Sequence, residues 1–157
     1  MTARMQAGES RPLTRGEAAI ARTMFAASLD PGVLRVVQAP RLFFGAMVPA
    51  GRVIWFSRWR AARDFAEADI EEQGWLVHEF AHCWQARRGV FLAGAKLFAL
   101  GDRAYSYAIA PGKALTAYNI EQQAEIARHL FLARMGAACP HPRDALEAIW
   151  ARAAAMV

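Results

Sequence analysis

His78-Glu79-x-x-His82 is the stretch of this chain whose residue types and spacing are best suited to chemistry. On a helix, residues four apart share a face, with Cβ atoms about 5–6 Å apart. Two imidazoles so placed can chelate one Zn²⁺, and the glutamate between them can act on a metal-activated water. The pattern uses two of the chain's four histidines. Leu76, Val77, Phe80, Ala81 and Trp84 occupy the other faces, as in a buried helix that keeps one polar stripe for a task.

Two imidazoles do not complete such a site, since catalytic zinc usually has three protein ligands and one position left to water. A third histidine in a His-x-x-Gly-x-x-His continuation is excluded, because residues 83–92 contain none. The remaining common choice is a carboxylate on a separate helix. Tyr118-Asn-Ile-Glu121-Gln-Gln-Ala-Glu125 offers two, one turn apart on one face, and spacing alone does not choose between Glu121 and Glu125. A donor for developing oxyanion charge is also expected. Tyr105, Tyr107, Tyr118, His129 and His141 are the candidates, and His129 continues the Glu121/Glu125 stripe by another turn.

These groups need elements to hold them. Residues 1–12 read as a loose, flexible polar tail, and residues 13–157 as a single domain. Thr14-x-x-Glu17 is a capping box, and Ile20, Ala21, Met24, Phe25 and Leu29 follow at helical intervals until Asp30-Pro31-Gly32. Val33–Val37 reads as a short strand. Leu42–Val48 and Arg52–Ser57 flank Pro49-Ala50-Gly51, which predicts an antiparallel hairpin. The metal-motif helix runs from about Asp69 to Arg88 with Gly89 as its stop, and Gly74 is its weak point. Residues 90–117 read as irregular chain with one helical turn. Asn119–Arg134 is strongly helical, Pro140-His141-Pro142 breaks the pattern, and a last helix starts near Asp144. The fold class that follows is α+β, with a small antiparallel sheet. Trp55, Trp59, Trp75, Trp84 and Trp150 are expected in the core rather than as a ligand platform.

Bulk properties narrow the function classes. A chain of 157 residues with 55% hydrophobic and 21% charged residues is globular and large enough for one real core. The net charge is +5, and all but two of the 19 basic residues are arginines scattered along the chain, with a loose group at Arg52, Arg58, Arg60 and Arg63. That distribution does not make a nucleic-acid groove, and no nucleic-acid partner is expected. Cys83 and Cys139 sit among apolar residues and read as buried, reduced thiols. Glu9, Arg11, Arg15 and Glu17 stand where a signal peptide needs an apolar core, and no run approaches a membrane span, so a cytoplasmic location is expected.

His78-Glu79-x-x-His82 followed by Glu121-x-x-Ala124-Glu125 resembles the gluzincin metallopeptidases. More narrowly, Val77-His-Glu-Phe-Ala-His-Cys-Trp-Gln85, Tyr118–Glu125 and Leu13-Thr-x-Gly-Glu17 are similar to small bacterial zincin-like proteins called Vgr-related, after the spike protein of contractile injection systems. The resemblance implies a zincin-like domain in which His78, His82 and Glu121 bind zinc, Glu79 is the catalytic base and Glu125 orients a zinc-bound histidine. The sequence departs from the peptidase pattern in carrying Glu125 where Asp is usual and in its long spacer between His82 and Glu121. The expected activity is zinc-dependent hydrolysis of a peptide or protein substrate. The alternative is a non-catalytic, zinc-stabilised accessory protein of an injection-system or phage-tail-like apparatus. Residues 90–117 would be a substrate lid in the first case and a docking surface in the second.

Overall fold

Glu17 shows how the N-terminal third is assembled. In the computed structural model, which describes residues 2–40, 45–97 and 101–154, its carboxylate is fully buried. It accepts hydrogen bonds from both Nη atoms of Arg11 at 2.7 Å, from Thr14 N at 2.8 Å and from Phe65 N at 2.8 Å. Thr14 Oγ1 accepts in return from Glu17 N, which completes the capping box at the start of α1 (Arg15–Phe25). One side chain thus ties the helix start to a loop almost fifty residues away.

The segment before α1, expected as a flexible tail, is instead built into the fold. Ser10–Pro12 form β1, Met5 is buried, and the backbone pairs with residues 61–63 through Met5 N to Ala61 O and Arg63 N to Ala3 O. Its apolar contact is Met5 alone, and the rest of its anchorage is backbone pairing together with Arg4 on Glu72 and Arg11 on Glu17. That arrangement leaves no apolar periodicity for a sequence reading to find.

The sheet also differs from expectation. β2 (Arg35–Gln38), β3 (Ala46–Met47) and β4 (Val53–Phe56) join β1 in the order β1-β2-β4-β3. β1 pairs antiparallel with β2, and β3 antiparallel with β4, so the expected hairpin is present in Ala46↔Phe56 and Met47↔Trp55. The first half of its expected first strand, residues 41–44, lies outside the described residues. β2 and β4, however, are parallel, from Arg35↔Val53 to Gln38↔Phe56. The sheet is therefore mixed rather than antiparallel. Burial accounts for this: Val36, Ile54 and Phe56 are fully buried, so the two apolar strands lie side by side at the centre. Short β3 is left at the edge.

The helices share the core with this sheet, and α2 (Ile70–Arg87) and α4 (Ile120–Arg134) pack most extensively on each other. Asp69 caps α2 through Glu72 N at 2.8 Å, and Glu71 and Glu72 complement the dipole of its first turn. Gly89, at φ +85°, ends it. The helix runs without interruption through Gly74. A Cβ at that position would lie 3.3 Å from both Arg128 Cγ and Leu132 Cδ2 of α4, so the glycine permits the close approach of the pair. Asn119 and Gln122 form a reciprocal cap for α4 at 2.8 and 3.1 Å.

Residues 90–117 contain more helix than expected: α3 (Leu92–Leu97) and single 3₁₀ turns at 102–104 and 115–117, with 98–100 outside the described residues. α5 (Arg143–Ala154) closes the core. There Trp84 and Trp150 pack with Phe25 at ring separations of 5.5–6.2 Å, as expected for core tryptophans. Trp59 is exposed, and Trp75 is half-buried beside the site described below. Both cysteines are free: Cys83 is buried and Cys139 half-buried. Among the described residues no helix is long and apolar enough to cross a membrane.

Candidate metal centre

α2 and α4 bring His78, His82 and Glu121 to one point. His78 Nε2, His82 Nε2 and Glu121 Oε2 are mutually 3.2 Å apart. The three residues are 1–3% exposed and could hold a metal ion. The second nitrogen of each imidazole decides what the cluster can bind. His78 Nδ1 lies 2.8 Å from Glu125 Oε1, and His82 Nδ1 lies 2.9 Å from Gln85 Oε1. A carboxylate and an amide oxygen only accept, so both Nδ1 atoms carry the proton and both Nε2 atoms present lone pairs. Three acceptors then face one another, an arrangement that a metal cation or a proton on one Nε2 relieves. Zinc bonded at about 2.0–2.1 Å in a tetrahedron places neighbouring ligand atoms about 3.3 Å apart, and a two-imidazole, one-carboxylate set suits it. The residues fit such an ion.

Without an ion the cluster holds a proton. Burial lowers the His78 pKa, but the bonds to Glu121 and Glu125 and the charge of Glu79 outweigh it and raise the value to about 9. Burial pushes the Glu121 pKa up, and its two histidine contacts push it further down, well below the usual carboxylate range. Metal must therefore displace the His78 proton. Zinc uptake at pH 7.5 should release close to one proton per site, and apparent affinity should rise with pH until about 9. Calorimetry in buffers of differing ionisation enthalpy measures this; a proton count near zero would show that His78 is already neutral.

Glu79 is 4% exposed, and its buried Oε2 has no hydrogen-bond partner among the described residues. It lines a cavity of about 230 Å³ with His78, His82, Glu121, Gly45, Ala46, Arg60, Trp75 and Tyr105. Glu125 sits behind His78 rather than in the cluster. Its carboxylate also meets Arg128 Nη1 at 3.1 Å and His129 Nε2 at 3.4 Å. Burial raises its pKa, while His78, Arg128 and His129 lower it further, so the net shift is downward.

Of the five candidate oxyanion donors, Tyr105 alone is among the residues lining this cavity, its ring stacked 6.0 Å from that of His78. Tyr118 donates its hydroxyl to Ala108 O, and Tyr107 lies 2.6 Å from His129 Nδ1, with His141 against its ring at 4.5 Å. Since His129 Nε2 faces Glu125, that nitrogen carries the proton and Nδ1 accepts from Tyr107. Gln122 Nε2 donates to Ser106 O at 2.7 Å. These contacts latch the segment carrying Tyr105 onto α4.

Sequence reasoning did not find Gln85, whose Nε2 donates to Ile120 O at 2.9 Å and Gln123 Oε1 at 3.1 Å while its Oε1 holds His82. The available signal was a polar side chain at i+3 from His82 in an otherwise apolar stretch. Arg128 and Arg60 had no signal beyond their charge.

The fold and cluster define an α+β domain in which two packed helices present a buried His-His-Glu group. No protein-family model matches the chain. The type VI secretion system spike protein VgrG2b of Pseudomonas aeruginosa is 35% identical over 132 residues, covering 78% of this chain and 13% of the spike protein. The solved effector domain of P. aeruginosa VgrG2b is 31% identical with a TM-score of 0.72, covering 95% of this chain and 86% of that one. The chain therefore belongs to the family of the VgrG2b effector domain, and spans only a small fraction of the full spike protein's length.

Proposed function

We propose that this chain is a zinc-dependent peptide hydrolase of gluzincin type, with a zincin-like fold, that works in association with a type VI secretion apparatus. The observation that carries the hydrolytic reading is the convergence of His78 Nε2, His82 Nε2 and Glu121 Oε2 beside the unpartnered Oε2 of Glu79. The association rests on family membership, since the related domain belongs to a spike protein of that apparatus.

In this reading His78, His82 and Glu121 are the metal ligands. A zinc ion held there supplies a Lewis acid that polarises the scissile carbonyl and makes water acidic enough to attack near neutral pH. Glu79 takes the proton of the attacking water and returns it to the leaving amine. Glu125 fixes the His78 tautomer and ring orientation. Burial, followed by the charges of Glu121, Glu79 and Glu125, raises the Tyr105 pKa, so its hydroxyl stays protonated and can donate to developing oxyanion charge. Among the described residues β3 is one edge of the sheet and Ala46 lines the cavity, so an extended peptide added along β3 would bring its backbone to the centre.

Glu79→Gln tests this. The variant should keep its zinc and its melting temperature and lose about 10²–10⁴-fold in peptide hydrolysis, because it removes a proton path and no metal ligand. A second reading keeps the metal and the association without turnover. It is favoured by the near-complete burial of the ligands and their hydrogen bonds to Glu125 and Gln85, as in a structural site. Equal inertness of wild type and Glu79→Gln across a broad peptide library would select it.

A further inference from the structure

The cavity over the metal cluster holds one charge that the hydrolytic mechanism does not use. Arg60 lines it, and among the described residues its guanidinium pairs with no carboxylate. The guanidinium carbon lies over the Trp75 ring, 5.1 Å from its centroid, and that ring is 5.4 Å from the ring of His78. The backbone beneath is held firmly. Arg60 N donates to Ser57 O at 2.9 Å, its carbonyl accepts from Arg4 Nη1 at 3.2 Å, and Ala61 and Ala62 are fully buried.

Acids are close by, yet each is engaged elsewhere. A neighbouring cavity of about 270 Å³ shares Arg60 and Trp75 and is also lined by Asp69, Glu71 and Glu72. Asp69 caps α2, Glu71 pairs with Arg128 at 2.7 Å, and Glu72 pairs with Arg4 at 2.6 Å. With a divalent cation in the cluster, the charges of Glu79 and Glu121 cancel it. Among the described residues that line the cavity, Arg60 then leaves one net positive charge. A guanidinium on an aromatic face, with no side-chain acceptor among the described residues, is suited to binding a carboxylate through paired hydrogen bonds.

We propose that Arg60 is a specificity-determining residue that selects ligands carrying a carboxylate close to the group bound at the metal. The inference rests on the metal-centre reading and extends it to substrate class. At about 3.3 Å per residue of extended chain, the Trp75 ring spaces that carboxylate within about three residues of the scissile bond. An acidic side chain and a free C-terminus offer the same chemistry.

The test does not require turnover. Two short peptidyl hydroxamates are titrated into the zinc-loaded full chain, one bearing an aspartate side chain and one a free C-terminal carboxylate, each against its amide counterpart. Wild type should bind at least one acid about 10-fold more tightly than its amide, and the pair that responds identifies the source of the carboxylate. Arg60→Gln should abolish the preference and leave zinc content unchanged. Arg60→Glu should invert it toward a hydroxamate bearing a lysine side chain. Equal binding of acid and amide by wild type, or a preference that survives Arg60→Glu, overturns the proposal while leaving the metal centre intact. Failure of every hydroxamate to bind zinc-loaded protein also overturns the proposal, and absence of zinc uptake overturns the metal centre with it.

Discussion

Glu121→Gln is expected to weaken zinc binding by well over about 100-fold, and Glu125→Gln by only about 10–100-fold. The two carboxylates are one helical turn apart, yet their surroundings give them different tasks. Glu121 Oε2 lies 3.2 Å from both Nε2 atoms, whereas Glu125 reaches only the far nitrogen of His78. Replacing Glu121 removes the one anion of the ligand set and leaves two imidazoles, too few for tight zinc. Replacing Glu125 leaves all three ligands and relaxes the orientation of one of them. Titration against a competing chelator ranks the variants directly. The reverse order would assign the ligand to Glu125 and require α4 to slide by about 6 Å and turn by about 40° from the described register.

Glu17→Ala should cost about 3–5 kcal/mol of stability, the range for breaking one side of a buried ion pair. The carboxylate is fully buried and accepts four hydrogen bonds, two from Arg11 and two from the backbone. Its removal leaves the Phe65 N–H without its acceptor and the Arg11 guanidinium with only the Pro12 and Ala62 carbonyls, and it leaves Thr14 on Asp64 as the remaining side-chain tie between the start of α1 and the loop before α2. For a domain of this size the melting temperature should fall by about 10 °C or more. Denaturant unfolding measures the change. A loss below about 1 kcal/mol would mean that the N-terminal third is held by its apolar contacts alone.

The metal cluster was legible because helical spacing converts sequence positions into a shared face, and that holds wherever a helix is well capped. His78 and His82 needed only that rule, whereas choosing Glu121 over Glu125, one turn along the same face, needed the resemblance to the gluzincins. Choosing Tyr105 from five donors needed more. Its place depends on Tyr107 reaching His129 and on Gln122 reaching Ser106, contacts that cross from an irregular segment to α4 and leave no periodic trace. The parallel pairing of β2 with β4 was hidden for a related reason, since β3 lies between them in the chain and outside them in the sheet. Arg60 reaches the cavity from the turn after β4, and nothing in its neighbours' residue types marks it apart from the other arginines.

Gly74 has a bearing on how relatives of this chain are read. The helices α2 and α4 each carry part of the donor set, and they meet where Gly74 has no side chain, one turn before His78. The pair works like a caliper whose jaws are the ligands and whose screw is this glycine. A bulkier residue there would spread the donors although the sequence still carried His78, Glu79, His82, Glu121 and Glu125. Two chains with the same ligand motif could then differ in the radius of ion they accept, and the residue opposite Arg128 and Leu132 is where that difference would be written.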